Sequence, residues 1–400
     1  MKVGIAAPVS LKLLCDRVEG GNELPEGYSF PSVSILIQEY LRRGHQVSVF
    51  ALDPSTQQLK TFRGKQLTIH VGRYRPRHRA RDFFAIERQD LLTAMKSDPC
   101  DIIHGMWTYE FALAAIASGY PHVITAHDAP LQILRLNLSP YRFMRTLMSF
   151  LVLYKTKNLT VVSPYLLKHF RRVFGYSRPI KVIPNGLAKS LFVLEERESK
   201  GTEDVITFVS VLNGWGGRKN SQVALQAFQQ VREVIPKARL IMIGAGHGEG
   251  EEGSIWAKQR ELHEQVEFVG RCPHDKLLKC LSTEADVLVH PALEESFCVA
   301  IAEAMALGIP VIGGSGSGAV PFTLENGKAG LLVDVRSPKS VAQAMLRLAQ
   351  DPKLRSRLGS TGRQLAQQRF HIENVAIAYE ELYQEILAGS LQFEGKHVCA

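Results

Sequence analysis

Apolar and polar positions follow one repeated order along the chain: a short apolar run rich in β-branched residues, a turn, and an amphipathic stretch with helical spacing. In the first half the apolar runs are KVGIAAPV, QVSVFAL, DIIHGMW, HVITAHD, LTVVSP and IKVIPN. In the second half they are VITFVSVL, RLIMIGAG, VEFVG, ADVLVHP, PVIGG and GLLVD. Strands that alternate with helices form parallel sheets. The order occurs twice, so it predicts an α/β protein with two doubly wound, Rossmann-like domains.

The helical stretches between these runs include SVSILIQEYLRRG, FALAAIASG, SQVALQAFQQVREV, HDKLLKCLSTE and SVAQAMLRLAQD. The polar segment 194–204 has no apolar period, so it should hold the domain boundary. We therefore expect an N-terminal domain over 1–193 and a C-terminal domain over 194–372. A last helix should occupy 373–400 and cross back to the N-terminal domain.

Open α/β sheets bind ligands beyond the carboxyl ends of their strands. Two such domains would face each other across a cleft, and we expect the functional site there. Polar residues that directly follow strands are therefore the ones that deserve a chemical interpretation.

The formal charge of +9 is unevenly distributed. Residues 1–190 contain 26 Lys and Arg against 13 Asp and Glu, whereas residues 191–400 contain 22 against 26. A basic half can be a solvated face, or it can meet an anionic membrane surface. Nucleic acid is disfavoured as a partner because no DNA- or RNA-binding motif accompanies the charge.

The six cysteines are scattered and form no CxxC pair, which is typical of reduced thiols in a cytosolic protein. The amino-terminal apolar run is short and contains Pro8, so it indicates a strand rather than a signal peptide. The apolar run 146–154 is too short to cross a bilayer. We expect a cytoplasmic protein, either free or peripheral at the inner face of the membrane.

The stretch EESFCVAIAEAMALGIPVI places two carboxylates, Glu295 and Glu303, around an apolar core. Glu295 should precede a helix that runs from about Ser296 to Gly308, where the helix dipole alone would favour an acid. Glu303 lies two turns inside this apolar helix, so it must reach solvent or hold a partner. The free amides at the helix start also suit an anion. Carboxylates for hydroxyls and amides for a diphosphate are the chemistry of a sugar-nucleotide site.

This segment, with its Glu-x7-Glu spacing, resembles the signature of family 4 retaining glycosyltransferases, which have the GT-B fold. Further segments resemble the family in the same order and cover nearly the whole chain. They are RRGHQVSVFA, VITAHDAP, VVSPYLLKHF, VIPNG, RLIMIGAG and VEFVGRCPHDKLLKCLSTEADVLVHP.

The resemblance implies roles for the residues of this segment. Glu303 should bind the ribose hydroxyls of the donor nucleotide, and Glu295 a hydroxyl of the transferred sugar. The backbone at Phe297, Cys298 and Val299 should face that sugar and the phosphates.

The resemblance also assigns Lys219, together with Arg218, to neutralise the departing diphosphate. The family more often has an Arg about six positions before this Lys, where Asn213 stands here. Without the family, Arg218 and Lys219 would be a solvated turn before a helix. His127, in TAHDAP, should lie near the donor sugar and the acceptor hydroxyl, although a lone His is more often structural.

The glycine that faces the diphosphate from the first domain is ambiguous. Gly20 and Gly21 form a pair of the type that the family has before its first helix, but Gly27 fits the spacing to RRGHQV better. We prefer Gly27 and leave Gly21 open.

The expected activity is transfer of a hexose from UDP-glucose to a saccharide or a lipid-linked saccharide, with retained anomeric configuration. The chain has no Asp-x-Asp motif, so neither an essential metal nor a cofactor is expected. GDP-mannose is the second donor candidate, and a degenerate transferase that serves as a binding subunit is a further alternative. GAGHGEG superficially resembles a dinucleotide loop, but a dehydrogenase or an epimerase would leave the two glutamates unexplained.

Overall fold

The computed structural model describes residues 1–27, 30–193 and 205–389. Contacts divide the chain into two compact units, one formed by Met1–Gly186 together with the chain from Ile372 onward, the other by Leu187–His371. The segment 194–204, in which we expected the domain boundary, lies outside the described residues. The limits of the units fall at 186/187 and 371/372, where the pattern predicted 193/194 and 372/373.

The first unit is built on an eight-stranded sheet with the order β3-β4-β2-β1-β5-β6-β7-β8. Its strands are β1 (Lys2–Ala6), β2 (Gln46–Asp53), β3 (Lys60–Arg63), β4 (Leu67–Arg73), β5 (Ile102–Met106), β6 (His122–Ala126), β7 (Leu159–Val161) and β8 (Ile180–Val182). Neighbouring strands are parallel except β3 and β4, which form an antiparallel hairpin. The six apolar runs predicted in this half all form strands; β3 and β4 were not predicted.

Six helices precede the second unit: α1 (Pro31–Arg42), α2 (Ala85–Ser97), α3 (Glu110–Ser118), α4 (Pro130–Leu136), α5 (Pro140–Lys155) and α6 (Pro164–Arg172). Several helices start with the same local chemistry, a Ser or Asp followed by proline. At α5 the Oγ of Ser139 accepts the N–H of Arg142 at 3.2 Å, and Ser163 does the same at the start of α6. The serine side chain accepts a hydrogen bond from an amide that has no carbonyl partner in the helix. Proline at the first helical position lacks an N–H, but an N–H there would have no partner within the helix in any case.

The second unit has a fully parallel six-stranded sheet with the order β11-β10-β9-β12-β13-β14. Its strands are β9 (Thr207–Val211), β10 (Arg239–Ile243), β11 (Val266–Gly270), β12 (Val287–His290), β13 (Val311–Gly314) and β14 (Gly330–Val333). Its helices are α7 (Ser190–Val193), α8 (Ser221–Val234), α9 (Glu252–Lys258), α10 (His274–Glu284), α11 (Val299–Ala306), α12 (Val320–Thr323), α13 (Pro338–Gln350) and α14 (Pro352–Phe370). Two doubly wound, Rossmann-like sheets confirm the predicted fold class.

The last described helix, α15 (Ile372–Leu387), belongs to the first unit and packs on α1. The buried hydroxyls of Tyr40 and Tyr383 are 3.0 Å apart, and Nε of Arg43 donates to Oε1 of Glu380 at 2.6 Å. The hydroxyl of Tyr383 also lies 2.6 Å from Nδ1 of His104 in β5. Helix α15 therefore completes the core of the first unit to which α1 and β5 contribute.

Among the described residues, no helix combines the length and the apolar character that crossing a bilayer requires.

Candidate functional site

Lys219 and Glu295 meet at the carboxyl edge of the second sheet. Because β9 and β12 are paired, the segments that follow them are neighbours. Lys219 lies in a 3₁₀ turn over Gly217–Lys219, and its Nζ donates to Oε1 of Glu295 at 2.6 Å. Both side chains are largely buried. The structure thus brings together two residues that stand 76 positions apart in the sequence.

Glu295 is held in its ionised form. Burial alone would raise the pKa of this carboxyl group, but Lys219, the hydrogen bond from His290 and nearby Arg218 outweigh burial and hold the pKa well below its usual range. The Nε2 of His290 lies 3.1 Å from Oε1 of Glu295. An ionised carboxylate only accepts hydrogen bonds. Glu295 is therefore suited to a hydroxyl group and not to proton donation.

Arg218 forms a second, parallel pair with Glu294. Its Nη1 donates to Oε2 of Glu294 at 2.9 Å and to the carbonyl of the same residue at 3.2 Å. Glu294 is fully buried, so its charge needs this guanidinium. The adjacent cations Arg218 and Lys219, on the turn after β9, thus pair with two adjacent carboxylates on the segment after β12.

Asn220 fixes the turn that presents both cations. It adopts the left-handed conformation, with φ of 54°, at the start of α8. Its Nδ2 donates to the carbonyl of Pro291 at 3.0 Å and to that of Val335 at 2.7 Å. Sequence reasoning did not single out this residue. An Asn directly after a Gly-rich basic turn is nevertheless a recognisable signal, because Asn tolerates this conformation.

His290, Glu295 and Cys298 form a buried cluster in which one donor atom of each lies within 4.8 Å of the others. The Sγ of Cys298 is 3.4 Å from Nε2 of His290. Imidazole, thiolate and carboxylate can ligate a transition metal. However, the ammonium of Lys219 already contacts the carboxylate, and a second cation there would be repelled. We therefore interpret the cluster as support for Glu295.

The helix after Glu295 begins later than the sequence indicated. We expected a start near Ser296, but α11 begins at Val299, because Glu295 forms a backbone bridge with Gly318 and Cys298 turns left-handed, with φ of 69°. The carbonyl of Phe297 accepts the hydroxyl of Thr323 at 2.6 Å. The first amides of α11, from Val299 on, have no carbonyl partner within the helix. The anion cradle stays a prediction, and the helix amides that would form it begin at Val299.

Glu303 has a partner that sequence reasoning missed. Its Oε1 lies 2.7 Å from Nε2 of His274, the first residue of α10. Burial would lower the pKa of His274, but the hydrogen bond and the charge of Glu303 outweigh it and raise this pKa. Glu303 is buried among apolar neighbours, and the contact with His274 explains how an acid is tolerated there.

Two glycines of GAGHGEG, Gly244 and Gly246, are explained by close packing against neighbouring segments. A Cβ on Gly244 would lie 1.9 Å from the carbonyl oxygen of Leu212, and one on Gly246 would lie 2.9 Å from Cβ of Trp215. Gly214 donates its N–H to the carbonyl of Ala245 at 3.0 Å. The loop thus supports the turn after β9, where Asn213 is exposed.

His127 follows β6 at the carboxyl edge of the first sheet and is buried. The ring of Trp107 stacks on its ring with centroids 4.4 Å apart, and its Nε2 lies 3.3 Å from Sδ of Met106. Burial lowers the pKa of His127 to about 3. Its Nδ1 has no hydrogen-bond partner in the described part of the chain. The side chain is therefore a neutral imidazole with one buried nitrogen that no described residue satisfies.

Neither candidate glycine of the first unit needs a ligand to explain it. The N–H of Gly27 donates to Oδ2 of Asp53 at 3.0 Å, and a Cβ there would lie 2.2 Å from the carbonyl oxygen of Val9. A Cβ on Gly21 would lie 1.9 Å from the carbonyl oxygen of Cys15. A role of Gly27 towards a diphosphate would require this N–H to exchange its partner, and it stays a prediction.

Two family descriptions match the chain. "Glycosyltransferase Family 4" matches residues 32–190, and "Glycosyl transferases group 1" matches residues 193–365. The chain belongs to glycosyltransferase family 4. The resemblance predicted from the Glu-x7-Glu segment is thereby confirmed, and the GT-B fold with it.

The glycosyltransferase is also similar to individual proteins. It is 26% identical over 219 residues to a GDP-mannose-dependent monoacylated alpha-(1-6)-phosphatidylinositol monomannoside mannosyltransferase of Corynebacterium glutamicum, which covers 51% of this chain and 56% of that one. The chain thus spans about half the length of the curated relatives it matches.

Two solved structures share its fold. A sucrose-phosphate synthase from Thermosynechococcus elongatus superposes with a TM-score of 0.74 at 20% identity, over 98% of this chain and 100% of that one. Anabaena HepE in complex with UDP-glucose superposes with a TM-score of 0.68 at 17% identity, over 96% of this chain and 100% of that one. At these identities the likeness concerns the fold alone.

Proposed function

We propose that this family 4 member is a retaining hexosyltransferase that uses UDP-glucose and needs neither a metal nor a cofactor. Its acceptor would be a saccharide or a lipid-linked saccharide in polysaccharide or glycolipid assembly. The observation that carries the proposal is the contact between Lys219 and the buried, ionised Glu295. In the proposal Lys219 neutralises the leaving group and Glu295 accepts a hydrogen bond from a sugar hydroxyl, and both side chains lie at the same edge of the second sheet.

Charge on the leaving group would be neutralised by the chain itself. Cleavage of the anomeric bond leaves a diphosphate that needs positive potential close by. Lys219, Arg218 and the first amides of α11 supply it, and the donor phosphates would draw the two cations away from their carboxylates. Glu295 is then released to accept a hydroxyl of the sugar, while Glu303 accepts the ribose hydroxyls.

Retention follows from the same arrangement in our proposal. Glu295 keeps its hydrogen bond with His290 and would accept a sugar hydroxyl once the donor has drawn Lys219 away, so we assign it to binding and not to a covalent intermediate. The acceptor would attack from the face that the diphosphate leaves, and the departing phosphate would take its proton. The neutral His127 would orient the acceptor or donor sugar by accepting a hydrogen bond from a sugar hydroxyl at its unoccupied Nδ1.

The donor is tested by thermal shift with UDP, GDP, ADP and their common sugar conjugates, with and without magnesium. A ligand that binds only the folded chain raises its apparent stability. Stabilisation by UDP-glucose without metal, lost in Glu303→Ala, supports the proposal. Proton NMR of the product anomer then decides whether the configuration is retained.

Two alternatives have a specific observation in their favour. Similarity to a GDP-mannose-dependent mannosyltransferase favours GDP-mannose as donor, and the same panel detects it. The exposed Asn213, where the family more often has an Arg, favours a degenerate binding subunit. Absence of any nucleotide-sugar shift would select this second alternative.

An anionic membrane surface remains our proposed partner of the first unit. Along α5, Phe143, Leu151 and Tyr154 are exposed and fall on one helical face, and Lys155 ends the helix. An apolar face with basic flanks is suited to the interface of an anionic leaflet. Sedimentation with phosphatidylglycerol vesicles, compared between the wild-type chain and Tyr154→Ser, tests this contact.

A further inference from the structure

An open cavity of about 630 Å³ lies in the first unit. It lies between the segment that follows β4 and the start of α5. Its wall includes His78, Arg79 and Arg81 from that segment, and Tyr141 and Met144 from α5. The lining contains cationic, aromatic and apolar side chains and no carboxylate.

Two acids beside the cavity-lining segment are neutralised by Arg75, while the buried Glu110 feels the charge of Arg79 without an ion pair to it. Arg75 pairs with Asp82 at 2.8 Å and with Glu87 at 2.7 Å. The hydrogen bond from Arg75 lowers the pKa of Asp82 to about 2. In the part of the chain that the structure describes, no carboxylate lies within ion-pair distance of Arg79 or Arg81. Their charge is therefore available to a ligand.

Arg79 is held in place without a counter-ion. Its Nη1 donates to the carbonyls of Arg75 and Pro76, at 2.8 and 2.7 Å, and its guanidinium lies 4.4 Å from the ring centroid of Tyr74. Its Nε is buried and has no hydrogen-bond partner within the described residues. The guanidinium therefore keeps its positive charge in a fixed position at the wall of the cavity, where it attracts an anion.

The backbone of this segment is strained. His78, Phe83 and Phe84 have φ of 63°, 54° and 60°, although none of them is glycine. Such left-handed residues are costly and cluster at binding and catalytic sites. The strain gives the cationic wall a fixed form that a solvated loop would not need.

A chain of contacts connects the cavity with His127. Nη1 of Arg145 donates to the hydroxyl of Tyr141 at 2.8 Å, and its guanidinium lies 3.6 Å from the ring centroid of Tyr109. The hydroxyl of Tyr109 donates to Oδ2 of Asp128 at 3.2 Å, and Asp128 directly follows His127. The cavity therefore opens at the same edge of the sheet as the histidine.

We propose that this cavity binds the phosphate group of a phosphorylated acceptor. The assignment rests on the proposed function, because only a transferase has an acceptor to place beside His127. Two guanidiniums and an imidazole would hold the phosphate oxygens, while Tyr141 and Met144 would contact the less polar part of the molecule. The phosphate can belong to a free sugar phosphate or to a lipid headgroup.

The test is binding of phosphate esters to the purified full chain. Isothermal titration with glucose 6-phosphate, inorganic phosphate, glucose and glucuronate separates the phosphate from the sugar and from carboxylates. Flotation with phosphatidylglycerol vesicles presents the same group on a lipid. We expect a phosphate probe to bind at least about tenfold more tightly than glucose, which forms no charge-assisted hydrogen bond, and also more tightly than glucuronate, whose carboxylate carries a smaller charge.

The variants are Arg81→Gln and Arg79→Gln, with Arg77→Gln as matched control. Arg77 is an exposed arginine of the same segment that does not line the cavity. Arg81→Gln is the more informative change, because Arg79 also supports the loop. We expect about tenfold weaker binding in both cavity variants and unchanged binding in the control.

Each outcome decides the assignment. Loss confined to Arg79→Gln and Arg81→Gln supports the site, whether the effective probe is the soluble ester or the vesicle, and the effective probe identifies the source of the phosphate. Equal loss in Arg77→Gln indicates a diffuse basic field and overturns the site. Binding of glucuronate as tight as that of the ester overturns phosphate, and so does absence of binding in both arms.

The donor panel keeps this inference separate from the proposed function. If nucleotide sugars bind and no phosphate probe does, only the acceptor assignment fails. If phosphate probes bind with the expected variant pattern and no nucleotide sugar does, the site persists and the transferase proposal fails.

Discussion

The Nε2 of His274 lies 2.7 Å from Oε1 of Glu303, which is the buried acid in the middle of the apolar helix α11. The histidine starts one helix and the glutamate lies inside another, so the contact ties α10 to α11. It also occupies the carboxylate that we assign to the ribose. In our proposal a donor would therefore compete with His274, and the protonation of that ring would affect the competition.

The His274–Glu303 contact should weaken as pH rises. The pKa of His274 is raised in the folded chain, so the stability it contributes is complete below the unfolded pKa of about 6.5 and is lost as pH rises through the folded pKa. We expect the difference in free energy of unfolding between the wild type and His274→Gln to shrink from pH 5 to pH 9. Urea denaturation at several pH values measures it.

His263→Gln is the matched control, because His263 is an exposed histidine of the same unit. Its stability difference from the wild type should not show this pH dependence. A difference for His274→Gln that stays constant or grows with pH would contradict the pairing.

Removing Lys219 should destabilise the chain by leaving a buried charge. Lys219→Met keeps the length of the side chain and deletes the ammonium that contacts Glu295. Breaking a largely buried pair in this way costs about 3 kcal/mol. The double variant Lys219→Met, Glu295→Leu should regain most of that loss, and neither variant should transfer sugar. Denaturant midpoints and a transfer assay measure the two effects.

The stability that Glu295 contributes depends on pH with the opposite sign to the stability that His274 contributes. The pKa of Glu295 is lowered on folding, so its contribution is present above the unfolded pKa of about 4.3 and is lost as pH falls. The destabilisation by Lys219→Met should therefore persist from pH 5 to pH 8 and decrease in acid. A destabilisation that increases in acid would refute the assigned charge state.

Alanine at Gly244 should be far more harmful than alanine at Gly250. Both glycines have positive φ, at 119° and 77°, but only Gly244 has a carbonyl oxygen 1.9 Å from the position of a Cβ. Gly250→Ala should cost about 1–2 kcal/mol from the left-handed conformation alone. Gly244→Ala should cost more, because Leu212 must also move. Similar losses of stability in the two variants would show that backbone packing does not explain this glycine.

His127 should act as a neutral group at every working pH. Burial lowers its pKa to about 3, so the ring does not titrate between pH 5 and pH 9. His127→Asn should reduce transfer about 100-fold, as expected for a positioned group at the reacting centre, without changing the shape of the pH–rate profile. Steady-state rates across this range measure both quantities.

His122→Asn is the control at the other end of β6 and should leave transfer intact. Disappearance of an inflection from the pH–rate profile of His127→Asn alone would mean that His127 changes its protonation during the reaction.

The strands were predictable because their signal is local. Each run of β-branched residues in a parallel sheet is buried on both faces, so it stands out as an apolar stretch. Of the two missed strands, β4 is a largely buried run that was overlooked, whereas β3 was missed for the opposite reason. The Lys60–Arg63 strand lies at the edge of the sheet, and three of its four residues are exposed. Its strand character derives from its pairing and not from its composition.

Sequence reasoning named candidate site residues where a recognisable segment carries them, and it missed their partners from other segments. Glu295 and Glu303 lie within one recognisable stretch, whereas His274 gains its meaning from a carboxylate 29 positions away. His290 is the last residue of β12, and no neighbouring residue in the sequence indicates that its ring contacts Glu295. The start of α11 was misplaced because Cys298 adopts a backbone conformation that favours glycine, and propensity gives no warning of it.

The position of α15 has a consequence for the order in which the molecule is made. Leu187–His371 is continuous in the chain, so this unit can fold as soon as it has been synthesised. The first unit is translated earlier, but it lacks the helix that carries Tyr379 and Tyr383 until Leu387 has left the ribosome. The first unit therefore cannot complete its fold until the second unit and α15 have been synthesised. Until then, the face of α1 that will contact Tyr383 stays uncovered. A chaperone that recognises nascent apolar surface should bind this half of the chain for longer.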